Sequence, residues 1–224
     1  MPTIVSISAV ILDLDGILID TESVARRAWF QAAVECGFQF SDELYAKVVG
    51  RPVASCRQVF QSVLPDGISF DQFLKCSDHL YHSEMEQNGV TIMDGIPELL
   101  NWIEQTDLEK SIATSSGRET AERKLELAGL SDRIEIMVTS DDVKQGKPAP
   151  DLFFRAAELM NQSPGNCAVI DDAEAGIIGA AKAGTIPIMV PTVTATSANV
   201  RRLATTIVDT VPEAHSFLKS LCAN

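Results

Sequence analysis

The chain has 224 residues, of which 46% are hydrophobic and 22% charged, a balance that suits a globular fold large enough to hold a core without disulfide or metal staples. Its formal net charge of −13 disfavours nucleic acid and anionic membrane as partners. No apolar run approaches the roughly 18 residues of a membrane span, and the composition excludes disordered, collagenous and coiled-coil classes.

Residues Met1–Ser8 lack the basic run of a secretory leader. The five cysteines, Cys36, Cys56, Cys76, Cys167 and Cys222, are odd in number, widely spaced and without a C-x-x-C pair. A reducing, cytoplasmic location is therefore expected, with the cysteines acting as small buried hydrophobes.

The first apolar run of strand length is Ala9–Leu12, followed by Asp13-Leu14-Asp15-Gly16. Alternation along an extended chain brings Asp13 and Asp15 toward one rim; an Asp-Gly turn is the plainer alternative. From residue 21 to about 90 the pattern is helical. Ala25, Ala28, Trp29, Ala32, Ala33 and Cys36 share one helical face, which Gly37 closes. Val59, Phe60, Val63 and Leu64 predict a second helix stopped by Pro65. Phe70, Phe73, Leu74, Leu80 and Tyr81 predict a third, with Ser69 as N-cap and Asn88-Gly89 at its end. No strand pattern interrupts this stretch, so a helical module over residues 21–92 is expected as an insertion into a domain made of residues 1–20 and 93–224.

Beyond the insertion, Ser111–Ala113, Glu135–Val138, Cys167–Ile170 and Pro187–Val190 read as strands. Helices are expected at Glu119–Ala128, Asp151–Met160, Ala173–Ala183 and about Pro212–Leu221, with Gly129 and Gly184 as closing glycines and Pro150 in a first turn. The alternation predicts an α/β fold, a parallel sheet wrapped by helices. Such sheets bind ligands outside the carboxyl ends of their strands, and the polar residues gather there. Thr114-Ser115-Ser116-Gly117 follows one strand, where its hydroxyls and N–H groups suit either a phosphate or a helix cap. Lys147 lies in Lys147-Pro148-Ala149-Pro150, better placed than a surface lysine, though a solvated loop is the alternative. Asp171-Asp172 ends the Ala168-Val169-Ile170 run, where adjacent acids are costly unless a cation or water offsets them; helix capping is the other reading.

In order, ILDLDGILID (11–20), IATSS (112–116), GKPAPDLF (146–153) and VIDDAEAGIIGAAKAG (169–184) resemble the haloacid dehalogenase superfamily over nearly the whole chain. Within it they resemble the β-phosphoglucomutase/phosphoglycolate phosphatase-like members that carry a helical cap. The resemblance implies a Rossmann-like α/β core with an inserted α-helical cap domain. It also implies a magnesium-dependent phosphatase acting on a small phosphate monoester, a sugar phosphate or similar metabolite, through an aspartyl-phosphate. By the same resemblance Asp13 is the nucleophile, Asp15 the general acid/base, Thr114 the phosphoryl-binding hydroxyl, and Lys147 the cation that binds phosphate and steadies Asp13. Gly16 and Ser115 join Asp13, Thr114 and Lys147 in substrate binding. Asp13, Asp15 through its backbone carbonyl, Asp171 and Asp172 are the implied Mg2+ ligands. Lys147–Pro148 is a candidate cis peptide.

Specificity is expected from the cap. Gly50-Arg51-Pro52 resembles the cap loop that faces the site, so Arg51 is a candidate clamp for a second anionic or hydroxyl group, with a surface arginine as the alternative. Arg26 and Arg118 are secondary candidates, and Glu22 begins the first cap helix. Trp29 and Phe30 are expected to fill the cap core, and His79 and His82 to be solvated or packed. Dehalogenation is disfavoured because Asp15 and the Asp171-Asp172 pair are present, and phosphonate hydrolysis because no motif singles out Lys47 or Lys75. Sugar phosphomutases of the family carry a His where this chain reads Asp20-Thr21-Glu22-Ser23-Val24-Ala25-Arg26; a mutase is kept as the alternative, then a non-catalytic regulatory member. The expected partner is a small phosphorylated metabolite, without nucleic acid or membrane, for a monomer or weak homodimer.

Overall fold

Strand β1 (Ala9–Leu12) is buried on both faces and delivers Asp13 at its carboxyl end. It belongs to a computed structural model that describes residues 7–49, 53–191 and 196–222, with residues 53–55 as backbone alone. The chain divides into two compact units, one ending at Asp20 and resuming at Thr91, the other being Thr21–Val90. This return junction precedes the expected 92–93 boundary, because the Thr91 carbonyl already accepts the Asp20 N–H at 2.9 Å and Ile92 bridges Ile19.

The inserted unit is helical. It contains α1 (Thr21–Glu35), α2 (Asp42–Ala46), α3 (Val53–Phe60) and α4 (Phe70–Asn88). Helices α1 and α4 pack together, and Val24, Ala28, Ala32 and Ala33 form the buried stripe of α1. Trp29, Phe40, Phe60 and Phe73 interlock beneath, with the Phe60 and Phe73 ring centroids 4.8 Å apart. The Ser69 hydroxyl accepts the Gln72 N–H at 3.2 Å, and the Gln72 amide oxygen accepts the Ser69 N–H at 2.8 Å, a capping box that starts α4. The second expected helix is displaced. Helix α3 ends at Phe60, and Val63 and Leu64 lie in the following turn, their N–H groups returning to the Phe60 carbonyl. They are apolar because they pack on the aromatic core from that turn.

The first unit continues with α5 (Ile96–Glu104), an element beyond the helices expected from the sequence. It buries Ile96, Leu99, Leu100 and Ile103, a full helical stripe. Strands and helices then alternate: β2 (Glu109–Ala113), α6 (Arg118–Leu127), β3 (Ile136–Val138), α7 (Asp151–Leu159), β4 (Cys167–Asp171), α8 (Glu174–Ala183), β5 (Ile186–Met189), α9 (Ala198–Leu203), β6 (Thr206–Ile207) and α10 (Val211–Cys222). The six strands are all parallel, in the order β3-β2-β1-β4-β5-β6. Helix α7 packs across β1, β2 and β3, where Ala9, Ile11, Cys167 and Val169 meet Leu152, Phe153 and Ala156. Val10, Leu12, Ala168 and Ile170 point the other way and are equally buried, so both sheet faces are covered. Leu12 pairs with Ile112 on one side and Ile170 on the other. This register brings the residues after β1, β2 and β4 to one edge, at the point where the winding reverses.

Candidate active site

Asp13 follows β1, and its N–H still bonds the Ile170 carbonyl at 3.0 Å, which ties it to β4. The Lys147 ammonium reaches the same edge, and the Lys147–Pro148 peptide is cis. Its Nζ donates to Asp13 Oδ1 and to Asp171 Oδ2, each at 2.8 Å, and its side chain is 5% exposed. Asp171, the last residue of β4, is fully buried, and its Oδ1 accepts the Ala173 N–H at 3.0 Å. Asp13, Asp171 and Asp172 each offer an oxygen, and these atoms lie within 4.8 Å of one another.

Burial pushes the Asp13 carboxyl up to about 8; Lys147 pulls it down, and the charge of Asp171 adds to the rise. Burial also disfavours the Lys147 charge, but Asp13 and Asp171 outweigh it and hold the ammonium protonated above its ordinary range. The cluster thus carries more carboxylate than ammonium, with oxygen donors throughout. That charge balance and donor set fit a hard divalent cation such as Mg2+.

Two glycines let this cluster close. Gly16 has φ 81°, and a Cβ there would fall on the Asp172 carboxylate. A Cβ at Gly176, in the first turns of α8, would fall on the Asp171 carboxylate. Both positions bring backbone against an acid that any side chain would displace.

Thr114 follows β2 and is buried, with its N–H on the Val138 carbonyl at 3.0 Å. Its Oγ1 accepts the Ser116 N–H at 3.1 Å, which shapes the turn into α6. Ser115 is exposed on that turn. Asp15 is held on the side toward α6: Lys124 Nζ donates to its Oδ1 at 2.6 Å and Ser116 Oγ to its Oδ2 at 3.0 Å. Lys124 was not singled out from the sequence, because a lysine in a helix reads as solvated. The missed signal is its place between Ala121 and Leu125 on the one buried face of α6.

Arg51 lies outside the described residues, as do Gly50 and Pro52. Arg26 is paired with Asp42 and lies over the Phe30 ring, 4.7 Å from its centroid. Arg118 donates to Asp142 at 2.7 Å and to the Met137 carbonyl at 3.1 Å, which ties α6 to the β3 segment. Glu22, in the first turn of α1, accepts from the Tyr45 hydroxyl. Lys47, Lys75, His79 and His82 are exposed. Trp29 and Phe30 pack in the insertion core. The expectation of buried cysteines holds for Cys56 and Cys167; Cys36 and Cys76 are only half-buried, and Cys222 is left exposed at the end of α10.

Residues 10–190 match the haloacid dehalogenase-like hydrolase family. The chain is 30% identical to validoxylamine A 7'-phosphate phosphatase of Streptomyces hygroscopicus subsp. limoneus, over 78% of this chain and 81% of that protein. It is also 30% identical to hexitol phosphatase A of Escherichia coli, over 78% of each. The crystal structure of a HAD family hydrolase from Deinococcus radiodurans, with phosphate and sodium bound, aligns at a TM-score of 0.82 and 25% identity over 97% of each chain. Among the described residues no helix is long and apolar enough to cross a membrane. The family match begins within β1 and ends just past β5, so it takes in every acid, hydroxyl and lysine of the cluster, and the chain belongs to the haloacid dehalogenase-like hydrolases.

Proposed function

We propose that this protein is a magnesium-dependent phosphatase that hydrolyses small phosphate monoesters, sugar phosphates or similar metabolites, through an aspartyl-phosphate on Asp13. The observation that carries the reading is the buried Asp13 carboxyl, clamped by Lys147 at 2.8 Å beside Asp171 and Asp172. Asp13, Asp171 and Asp172 would hold Mg2+, with the Asp15 carbonyl as a further ligand; the bound cation offsets the repulsion between an anionic nucleophile and an anionic ester.

The Asp13 carboxylate attacks phosphorus as the ester P–O bond breaks, and Asp15 supplies the proton that leaves with the alcohol. Thr114 and the N–H groups of the Gly16 and Ser115 turns hold the phosphoryl oxygens, and Lys147 keeps positive charge beside them. Asp15, now a carboxylate, takes a proton from the water that attacks the aspartyl-phosphate. Phosphate leaves and Asp13 is regenerated. That two of the relatives are named validoxylamine A 7'-phosphate phosphatase and hexitol phosphatase A supports the substrate class. Hydrolysis is favoured over phosphoryl return to a sugar because residues 20–26 carry no histidine to serve that second transfer.

The test is phosphate release from a panel of small monoesters, with Mg2+ and with chelator, alongside Asp13→Asn. Release that needs Mg2+ and vanishes in the variant is expected. Release that persists in chelator, or in Asp13→Asn, contradicts the assignment.

A further inference from the structure

Lys124 is 6% exposed, and its charge sits inside the first unit. A buried ammonium is costly, and an apolar side chain between Ala121 and Leu125 would fill the same face of α6 without that cost. What the lysine does there is reach Asp15. Its Nζ is 2.6 Å from Asp15 Oδ1 and 3.3 Å from Ser116 Oγ, and the Ser116 hydroxyl donates to Asp15 Oδ2 at 3.0 Å. Each carboxylate oxygen therefore has its own donor, and the two donors contact one another. Ser116 is in turn anchored by its N–H on Thr114 Oγ1 at 3.1 Å. The orientation of Asp15 is thus set from the same turn that presents Thr114.

We propose that Lys124 is a positioning residue, which together with Ser116 fixes the Asp15 carboxyl for proton transfer to the departing alcohol. The proposal rests on the reading of Asp15 as the general acid/base. A side chain with two fixed oxygens delivers its proton along one line, whereas one released from Lys124 turns about its own bonds and meets the leaving oxygen less often. The effect belongs to the step in which the ester oxygen leaves. An alkyl phosphate needs that proton, because an alkoxide is a poor leaving group. An aryl phosphate such as p-nitrophenyl phosphate needs it far less. The value of kcat/KM reports this step for each ester, since the alcohol departs before the intermediate is hydrolysed.

The experiment compares kcat/KM for an alkyl phosphate taken from the active panel and for p-nitrophenyl phosphate, in wild type, Lys124→Met and Ser116→Ala. Binding of inorganic phosphate in the presence of Mg2+ is measured by calorimetry in the same proteins. The expected result is a fall of about 100-fold on the alkyl ester in Lys124→Met, the lower end of what general acid catalysis supplies, a much smaller fall on the aryl ester, and unchanged phosphate binding. Ser116→Ala shows the same imbalance in milder form, and carries the comparison if Lys124→Met does not fold. Equal losses on both esters, loss of phosphate binding, or no loss on either ester overturns the positioning role. A wild type that releases phosphate from no ester removes the phosphatase reading itself, while a wild type that turns over with balanced losses in the variants removes the role of Lys124 alone.

Discussion

At Asp13 two effects oppose one another, burial that favours the neutral acid and Lys147 that favours the carboxylate. Burial prevails, and the carboxyl is pushed up to about 8, against about 4 in an unfolded chain. Between those values the folded state binds the extra proton, so this residue's contribution to stability is present at low pH and is lost as pH rises toward 8. Asp13→Asn is neutral throughout and lacks that loss. In chelator, its melting temperature should therefore gain on wild type from about pH 5 to about pH 8; a wild type that gains on the variant over this window contradicts the burial argument. Metal ligands must be deprotonated to bind, so the rise in melting temperature given by Mg2+ should grow through the same window. A rise that is independent of pH would remove Asp13 from the metal site. The residues behind these predictions were legible because each acid, hydroxyl or lysine stands in a short polar motif, most of them directly after an apolar strand. Lys124 was not, since its partner Asp15 is 109 positions away in sequence and only the buried face of α6 betrays it.

Among the elements, α8 shows how the site overrides local preference. Replacing glycine by alanine inside a helix ordinarily stabilises by about 1 kcal/mol. At Gly176 the new Cβ would meet Asp171, so Gly176→Ala should instead destabilise by about 1–3 kcal/mol, as overpacking does, and should weaken stabilisation by Mg2+. Urea unfolding with and without the metal measures both; a variant more stable than wild type would show that the helix has room. At the start of α4, Ser69→Ala removes one half of the capping box and should cost about 1 kcal/mol, seen as a lower urea midpoint. An unchanged midpoint would mean that the cap adds nothing to global stability. Strands with all residues buried, such as β1, were readable as apolar runs. Strand β2 starts earlier than expected because Glu109 and Lys110 extend its pairing with Ala9 and Val10 while remaining partly in solvent. Helix α5 has helical spacing at Ile96, Leu99, Leu100 and Ile103, but it is short and opens on Gly95 with no capping side chain to mark its start. Strand β6 is two half-buried residues on the sheet edge, too short for any periodicity to show.

For the whole molecule, the parallel sheet and its strand order explain why residues from Asp13 to Asp172 form one cluster. Four chain segments end at the same edge, and the net charge of −13 is locally countered there by Lys147 and Lys124. The interruption between β1 and the rest of the domain was legible because residues 21–90 change from strand-length runs to helical periodicity. The topology itself was not, since periodicity assigns elements and leaves their order across the sheet open. On the proposed mechanism, Asp13 carries the phosphoryl group during turnover. This is tested most directly by acid-quenching the enzyme during hydrolysis of an active ester with Mg2+, then locating phosphorylation by mass spectrometry of the peptides. One phosphoryl group is expected, on the peptide that contains Asp13 and labile to hydroxylamine. Steady turnover with that peptide never modified, or with the phosphoryl group on another residue, would contradict it.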